Sequence, residues 1–462
     1  MELFGRTEIF SGVEEVNITN VVEVLGKAKP IFEKNKREIT YLYDYYCGKQ
    51  PILNRKKPIR PEICNKVVEN RANEIVAFKV GYLCGEPIQY VSRSATEDVS
   101  KNVSLLNDMM LADSKATKDK ALVEWQMIAG TAYRIVMVST DPAVPFELCT
   151  IDPRNAFIIR SSQIGNKVLA GVHCGTNADG KTVFTIYTPN EFYEVEGNKV
   201  RKAVQHGLGA VPMVEYPANN ARMGAFEPVI GLLDAINTVE SNRIDGIEQF
   251  VQSLVKFINC DIDEETFAAL QQMGAIKIKS SDGQNADVEI MTQELNQTQT
   301  QTLVDHLYQT VLTICGMPNR NGNGSSTSDT GAASLLRDGW TLAEARAKDS
   351  ELMFKQSETD MLKVVLPLCE SLAGLNLKIT DFAPKFTRRN YENIQTKAQV
   401  LVSMLNNEKV DPRLAFAHCG MFPDPEEAYQ VSMRWYKDQQ KQMQKSLKDA
   451  VRNDGVESVS SV

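Results

Sequence analysis

Two hydrophobic periodicities alternate along the chain, and the switches between them outline its organisation. Apolar residues recur at helical spacing from about 20 to 46, closing on Tyr41-Leu42-Tyr43-Asp44-Tyr45-Tyr46-Cys47-Gly48, where Gly48 is a stop signal. Tyrosines so closely spaced cover several helix faces and serve either packing or an interface with another chain. After a Pro-rich, basic link at 51–61, Ile63, Val67, Val68, Ile75, Val76, Val80 and Leu83 predict a helix entered at Pro61 and stopped at Gly85. A short strand at 88–91 follows. Two more amphipathic helices come next, one through Val99, Val103, Leu106 and Met110, the other opened by Thr117 and stopped at Gly130.

From 132 the period shortens to that of strands. The runs 132–138, 156–159, 168–173, 183–187 and 192–195 are β-branched or aromatic and separated by turn formers, which predicts an antiparallel β region. Residues 177–180 and 197–198 fit hairpin connections, since Gly and Asn tolerate positive φ. At Pro228 the helical period returns, with Val229, Leu232, Leu233, Ile236, Val239, Ile244, Ile247 and Val251 predicting one long helix to about 258. Its other face is acidic, through Asp234, Glu240, Asp245 and Glu248, with Arg243 and Lys256 as exceptions.

Residues 260–291 read as a compact insert: a helix at 263–270, a strand at 275–279 that carries Lys277 and Lys279, a turn at Asp282-Gly283 and a strand at 288–291. A Gln- and Thr-rich helix at 296–315 returns from it, so the insert sits at the tip of a helical hairpin. Residues 318–328, rich in Gly, Asn and Ser, predict a loop, because glycine entropy and side-chain hydrogen bonds compete with regular structure. Leu336, Trp340, Ala343, Ala347, Phe354, Met361 and Val365 then mark a helix over 330–370, about 60 Å long. A strand near 377–382, a helix through Ala398, short helices after Asp411-Pro412 and Asp424-Pro425, and a fraying Gln- and Lys-rich tail complete the chain.

A length of 462 residues exceeds one ordinary core and calls for two to four structural regions. With 43% hydrophobic and 24% charged residues the chain is globular in composition. Its longest apolar stretch, 121–138, is broken by Glu124, Gln126 and Arg134, and no run reaches the roughly 18 residues of a membrane span. The segment 1–6 lacks a basic-then-apolar leader, so synthesis and residence in the cytoplasm are expected. Nine scattered cysteines fit neither a disulfide framework nor a zinc knuckle. A net charge of -8 is the wrong sign for gripping nucleic acid, although it leaves room for loose, sliding contact.

Catalytic patterns are missing. Walker A, His-Glu-x-x-His, Gly-x-Ser-x-Gly and paired-Cys sequences are absent. The Gly-rich residues 322–324 lack the Gly-Lys-Ser/Thr that would complete a phosphate cradle. His173, His206, His306 and His418 lie far apart, and the acidic run 261–265 is explained by helix capping. No cofactor and no metal site are expected. Lys277 and Lys279 fit a solvated strand face.

Some segments carry more than periodicity. Asn65-Lys66-Val67-Val68-Glu69-Asn70 followed by Gly81-Tyr82-Leu83-Cys84-Gly85-Glu86-Pro87, Tyr45-Tyr46-Cys47-Gly48, and Val211-Pro212-Met213-Val214-Glu215-Tyr216 with Asn219-Asn220 together resemble the portal, or head-tail connector, proteins of tailed bacteriophages of the siphophage type. The resemblance covers about 35–430. It implies an α+β ring subunit with long channel-lining helices, a β-rich wing, a small α+β clip and a helical C-terminal crown. Implied divisions are the helical wing (1–130), the β-rich wing (131–227), first stem helix (228–258), clip (259–292), second stem helix (293–317), tunnel loop (318–330), long wing helix and strand (331–389), and crown and tail (390–462).

By that resemblance the protein is not an enzyme. It is expected in the virion as a ring, usually of twelve copies, at one capsid vertex, after residence in the host cytoplasm during assembly. Viral double-stranded DNA would pass through it during packaging and ejection. Implied partners are the terminase large subunit, the major capsid and scaffolding proteins and a head-tail adaptor, with no membrane. Arg320, Asn321, Asn323, Ser325, Ser326 and Thr327 would face DNA in the tunnel loop, Asp234, Glu240, Asp245 and Glu248 would line the channel, and Lys277 and Lys279 would lie in the clip. The residues leave two other classes open: a DNA-processing nuclease built from scattered carboxylates, and a cytoplasmic helical adaptor.

Overall fold

The computed structural model describes residues 5–93, 96–141, 143–251, 254–258, 287–291, 297–319, 339–388, 394–422 and 425–457. In chain order the elements begin β1 (Ile9–Ser11), α1 (Val21–Tyr46), α2 (Arg71–Cys84), β2 (Gln89–Ser92), α3 (Glu97–Ala112) and α4 (Lys115–Ala129). Eight strands follow: β3 (Thr131–Val138), β4 (Phe146–Ile151), β5 (Ala156–Ser161), β6 (Val168–Thr176), β7 (Thr182–Tyr187), β8 (Glu191–Glu196), β9 (Lys199–Gln205) and β10 (Met213–Pro217). Then come α5 (Ile230–Val251), β11 (Leu254–Ile258), β12 (Asp287–Met291) and α6 (Gln297–Cys315). The C-terminal part holds α7 (Trp340–Ala373), β13 (Phe382–Lys385), α8 (Ile394–Leu405), α9 (Pro412–Cys419) and α10 (Pro425–Glu457). Two compact units result: Met1–Ile39, Val76–Gly224 and Gly316–Val462 form one, Thr40–Ile75 and Ala225–Cys315 the other.

The larger unit is organised by a six-stranded sheet in the order β1-β5-β6-β7-β8-β9. Alternation along β7 and β8 turns Phe184, Ile186, Tyr193 and Val195 to one face, where the α1 stripe Val21, Val24, Leu25, Ala28 and Phe32 covers them. Phe32 and Phe157 meet with ring centroids 4.6 Å apart. A second sheet, β10-β3-β4, lies against the first through Tyr133, Ile135, Ile158 and Met213. The sheets approach so closely at Gly171 that a Cβ there would come within 2.5 Å of Met213 Cβ. The hairpins at 177–180 and 197–198 form where the turn chemistry places them, joining β6 to β7 and β8 to β9. The predicted all-antiparallel pattern has one exception, since β1 pairs parallel to β5.

In the smaller unit α5 and α6 pack on each other and are linked to the antiparallel ladder β11-β12. This shortens the predicted helix 228–258: α5 ends at Val251, and 254–258, an apolar run broken by Lys256 whose short length does not tell strand from helix, pairs as a strand. The predicted helix from Pro61 is likewise shorter, because α2 starts at Arg71 and 64–70 carry no helical turn. The expected helix 263–270, the strand 275–279 with Lys277 and Lys279, and Arg320, Asn321, Asn323, Ser325, Ser326 and Thr327 lie outside the described residues. So does 330–338 at the start of the predicted long helix, of which Trp340–Ala373 is seen. The eight described cysteines are free thiols. Among the described residues no helix is long and apolar enough to cross a membrane.

Candidate functional site

The segment 64–70 avoids a helix because α5 satisfies its backbone. Asn65 N–H donates to Asp245 Oδ1 at 2.7 Å, Val67 N–H to Ser241 Oγ at 3.0 Å, and Glu69 N–H to Asn237 Oδ1 at 2.8 Å. Alternate residues of the segment thus meet every fourth residue of the helix. The match is geometric: two extended residues advance about 6.6 Å and four helical residues about 6 Å. Asn237, Ser241 and Asp245 are buried, so α5 turns a polar stripe inward toward another backbone. The polar i, i+4, i+8 spacing was the available sequence signal for this contact.

Asp245 has the densest set of partners. Besides Asn65 N–H it accepts from Asn65 Nδ2 at 3.0 Å and Lys57 Nζ at 3.1 Å, and pairs with Arg55 Nη1 at 2.9 Å. Burial alone would raise its pKa, but these hydrogen bonds and the Arg55 charge hold it below the usual carboxylate range. The four acids expected to share an open face therefore separate. Asp234 is half-buried and accepts Tyr45 O–H at 2.9 Å, with burial pushing its pKa up. Tyr45 is fully buried and stacks on Phe226, which assigns this member of the tyrosine cluster to packing. Glu240 pairs with Arg243 at 2.8 Å. Asp245 is withdrawn beneath 55–65, and of the four only Glu248 is exposed.

The exposed positions of α5 and α6 mix polar residues with Ile244, Ile247, Leu303 and Ile314, and are nearly free of cations. Residues Gln297–Cys315 contain no Lys or Arg, and in Ile230–Val251 the one cation is Arg243, paired with Glu240. Thr298, Gln299, Gln301, Thr302, Gln309 and Thr313 of α6 are exposed. At the start of α2, Arg71 lies 4.1 Å from the Tyr308 ring, and Tyr308 O–H donates to Glu74 at 2.8 Å, which fixes α6 in the smaller unit.

The larger unit holds the densest charge cluster, which sequence reasoning missed. Lys115 Nζ lies 2.6 Å from Asp119 and 2.8 Å from Glu358, and Arg134 Nη2 lies 2.6 Å from Asp119. Tyr90 and Tyr216 donate to the two Glu358 oxygens at 2.6 and 2.9 Å. All four charges are buried, and two cations balance two anions. Burial opposes ionisation of Glu358, but Lys115 and Arg134 outweigh it and hold its pKa low. A balanced, closed cluster of this kind offers no uncommitted base, and it joins α4, β3, β10, β2 and α7. Its signal was Arg134 inside an apolar run.

A model of the phage portal protein family, SPP1 Gp6-like, matches residues 25–452. No curated protein matches the chain. Among solved structures the chain is similar to one titled as the neck of an empty GTA particle computed with C6 symmetry, at TM-score 0.43 and 11% identity over 76% of this chain and 90% of that one. It is also similar to the neck of a native GTA particle computed with C12 symmetry, at TM-score 0.43 and 10% identity over 77% and 91%. A third is the virion of a native gene transfer agent particle, at TM-score 0.43 and 10% identity over 76% and 89%.

Proposed function

The chain belongs to the SPP1 Gp6-like family of phage portal proteins, and from that premise we propose that copies of it close into a ring whose channel is walled by α5 and α6. The family is structural, and its place is the virion, as head-tail connector. Twelve copies, assembly in the host cytoplasm and viral double-stranded DNA as the cargo complete the reading. The 259–292 region, with Lys277 and Lys279, would dock the terminase large subunit and later the head-tail adaptor. The loop at 318–330, with Arg320 and Asn321, would narrow the channel. Capsid and scaffolding proteins would surround the ring.

One observation carries the channel wall: α5 and α6 together hold a single cation, and Glu240 neutralises it. DNA is gripped when Lys and Arg displace condensed counterions, so a wall without open cations gives phosphates nothing to lodge on. Exposed amides such as that of Gln309 exchange their hydrogen bonds with water and let the duplex slide. This replaces a continuous acidic face with a sparsely acidic one, since Asp245 and Asp234 are engaged elsewhere while Glu248 and Asp305 stay exposed.

The test adds the missing charge. Thr302 and Gln309 are seven residues apart and lie about 20° apart around the helix. Thr302→Lys with Gln309→Lys should preserve annular particles by negative-stain microscopy, while creating salt-dependent retention of duplex DNA and slowing packaging. Rings that translocate DNA normally with both lysines present would remove α6 from the wall. Purified protein that stays monomeric when concentrated would remove the ring.

A further inference from the structure

Residues 55–65 form a closed loop seated on α5. Arg55 Nη1 donates to the Asn65 carbonyl at 2.9 Å across its neck, and Asp245 holds both ends, Arg55 and Lys57 on one side and Asn65 on the other. Pro58 and Pro61 stiffen the tip, Arg60 adopts φ 52°, and Ile63 N–H donates to the Arg60 carbonyl at 3.0 Å. This fixed tip leaves Ile59 76% exposed. Arg60 has no ion pair among the described residues, and its Nη1 is buried without an acceptor. Lys56, three residues before Ile59, is exposed. An exposed apolar knob flanked in sequence by the uncommitted cations Lys56 and Arg60 is an unusual thing to leave in water.

The complementary surface is on the same unit. Ile244 and Ile247 of α5 are 38% and 52% exposed, and Glu248 stands exposed next to them. Two residues beyond Asp245, Ile247 lies about 200° around the helix, away from the face that the loop occupies. A chain with a knob on one side of a helix and a matching apolar, acidic patch on another has the ingredients of a head-to-tail contact, which closes into a ring when the rotation permits. We propose that the 55–65 loop of one copy docks on the face formed by Ile244, Ile247 and Glu248 of the neighbouring copy, with Ile59 against the isoleucines and Arg60 paired to Glu248. Asp245 is then a positioning residue that holds the loop in docking geometry. The proposal rests on the ring reading above and names which surfaces close it.

The experiment measures ring assembly of the full chain against concentration, by mass photometry and negative-stain microscopy. Ile59→Asp and Glu248→Arg alter exposed side chains, so circular dichroism and melting should stay unchanged. Each should raise the concentration for half-assembly at least about tenfold, the change of roughly one strong interface contact. Arg60→Glu should do the same, and Arg60→Glu combined with Glu248→Arg should restore assembly to near wild type. A double variant as impaired as either single one, or single variants that assemble normally, would overturn the contact while leaving the portal reading intact. Normal rings that lose binding to a capsid protein would assign the loop to another partner and overturn it too. A wild-type chain that never forms rings fails the underlying reading instead.

Discussion

The two units each bury a carboxylate, and they use it in opposite ways. Glu358 in the larger unit meets side chains only, Lys115, Arg134, Tyr90 and Tyr216, drawn from four elements. Asp245 in the smaller unit meets a backbone N–H and the two ends of one loop. The first closes a core around compensated charge, where removing one partner strands the others in a medium that solvates them poorly. The second holds a segment of extended backbone, through partners Arg55 and Lys57 that are themselves partly exposed, so water can replace part of what is lost. Buried charge therefore cements packing in one unit and shapes a surface in the other.

The largest break in that contrast should come from Glu358→Ala. Lys115 and Arg134 would share Asp119 alone, and chemical denaturation should register a loss of about 3–5 kcal/mol. A loss under about 1 kcal/mol would mean that the cluster is wet or dispensable. Asp245→Ala should cost less, about 1.5–3 kcal/mol, and locally. Amide exchange at Asn65, Val67 and Glu69 should quicken while amides of the six-stranded sheet keep their protection; uniform loss across both units would erase the distinction. Ser241→Ala removes one neutral acceptor and should cost about 1 kcal/mol, again read at the Val67 amide.

The larger unit's second cluster is probed by acid rather than by truncation. Glu215 takes Arg222 Nε at 2.7 Å and Arg160 Nη2 at 2.8 Å. Burial opposes its ionisation, but the two arginines overcome this and bring its pKa down to about 2 from an ordinary 4.5. A depressed carboxylate contributes stability that is complete above its unfolded pKa and is lost as pH falls toward the folded value. The wild-type melting temperature should drop steeply between about pH 4.5 and 2, and Glu215→Gln should flatten that slope. Identical slopes would show that Glu215 is not what acid attacks.

Much of the fold is legible in local chemistry. The hairpins at 177–180 and 197–198, the α1 stripe Val21-Val24-Ala28-Phe32 and the cap of α9, where Asp411 accepts Arg413 N–H at 2.9 Å, each need only neighbours in sequence. The errors fall where a distant partner decides. Residues 61–70 hold apolar spacing fit for a helix, yet α5 offers their N–H groups better-placed acceptors than a first helical turn could. At 254–258 a largely apolar run took its form from the strand at 287–291. In the candidate site, the shortage of cations in α6 was readable from composition, whereas the loss of Asp234 and Asp245 from an open face was not.

The order of residues alone determined the helical and strand segments, the turns between them, the scarcity of positive charge along α5 and α6, and the succession of motifs that marks a portal chain, because each of these depends on spacing over a few residues or on simple counting. Tertiary structure decided which polar groups are spent inside the protein. Asn237, Ser241 and Asp245 would face water on an isolated helix, and only the arrival of 55–70 against that helix makes burying them favourable, since a desolvated carboxylate is stable only where donors and cations converge on it.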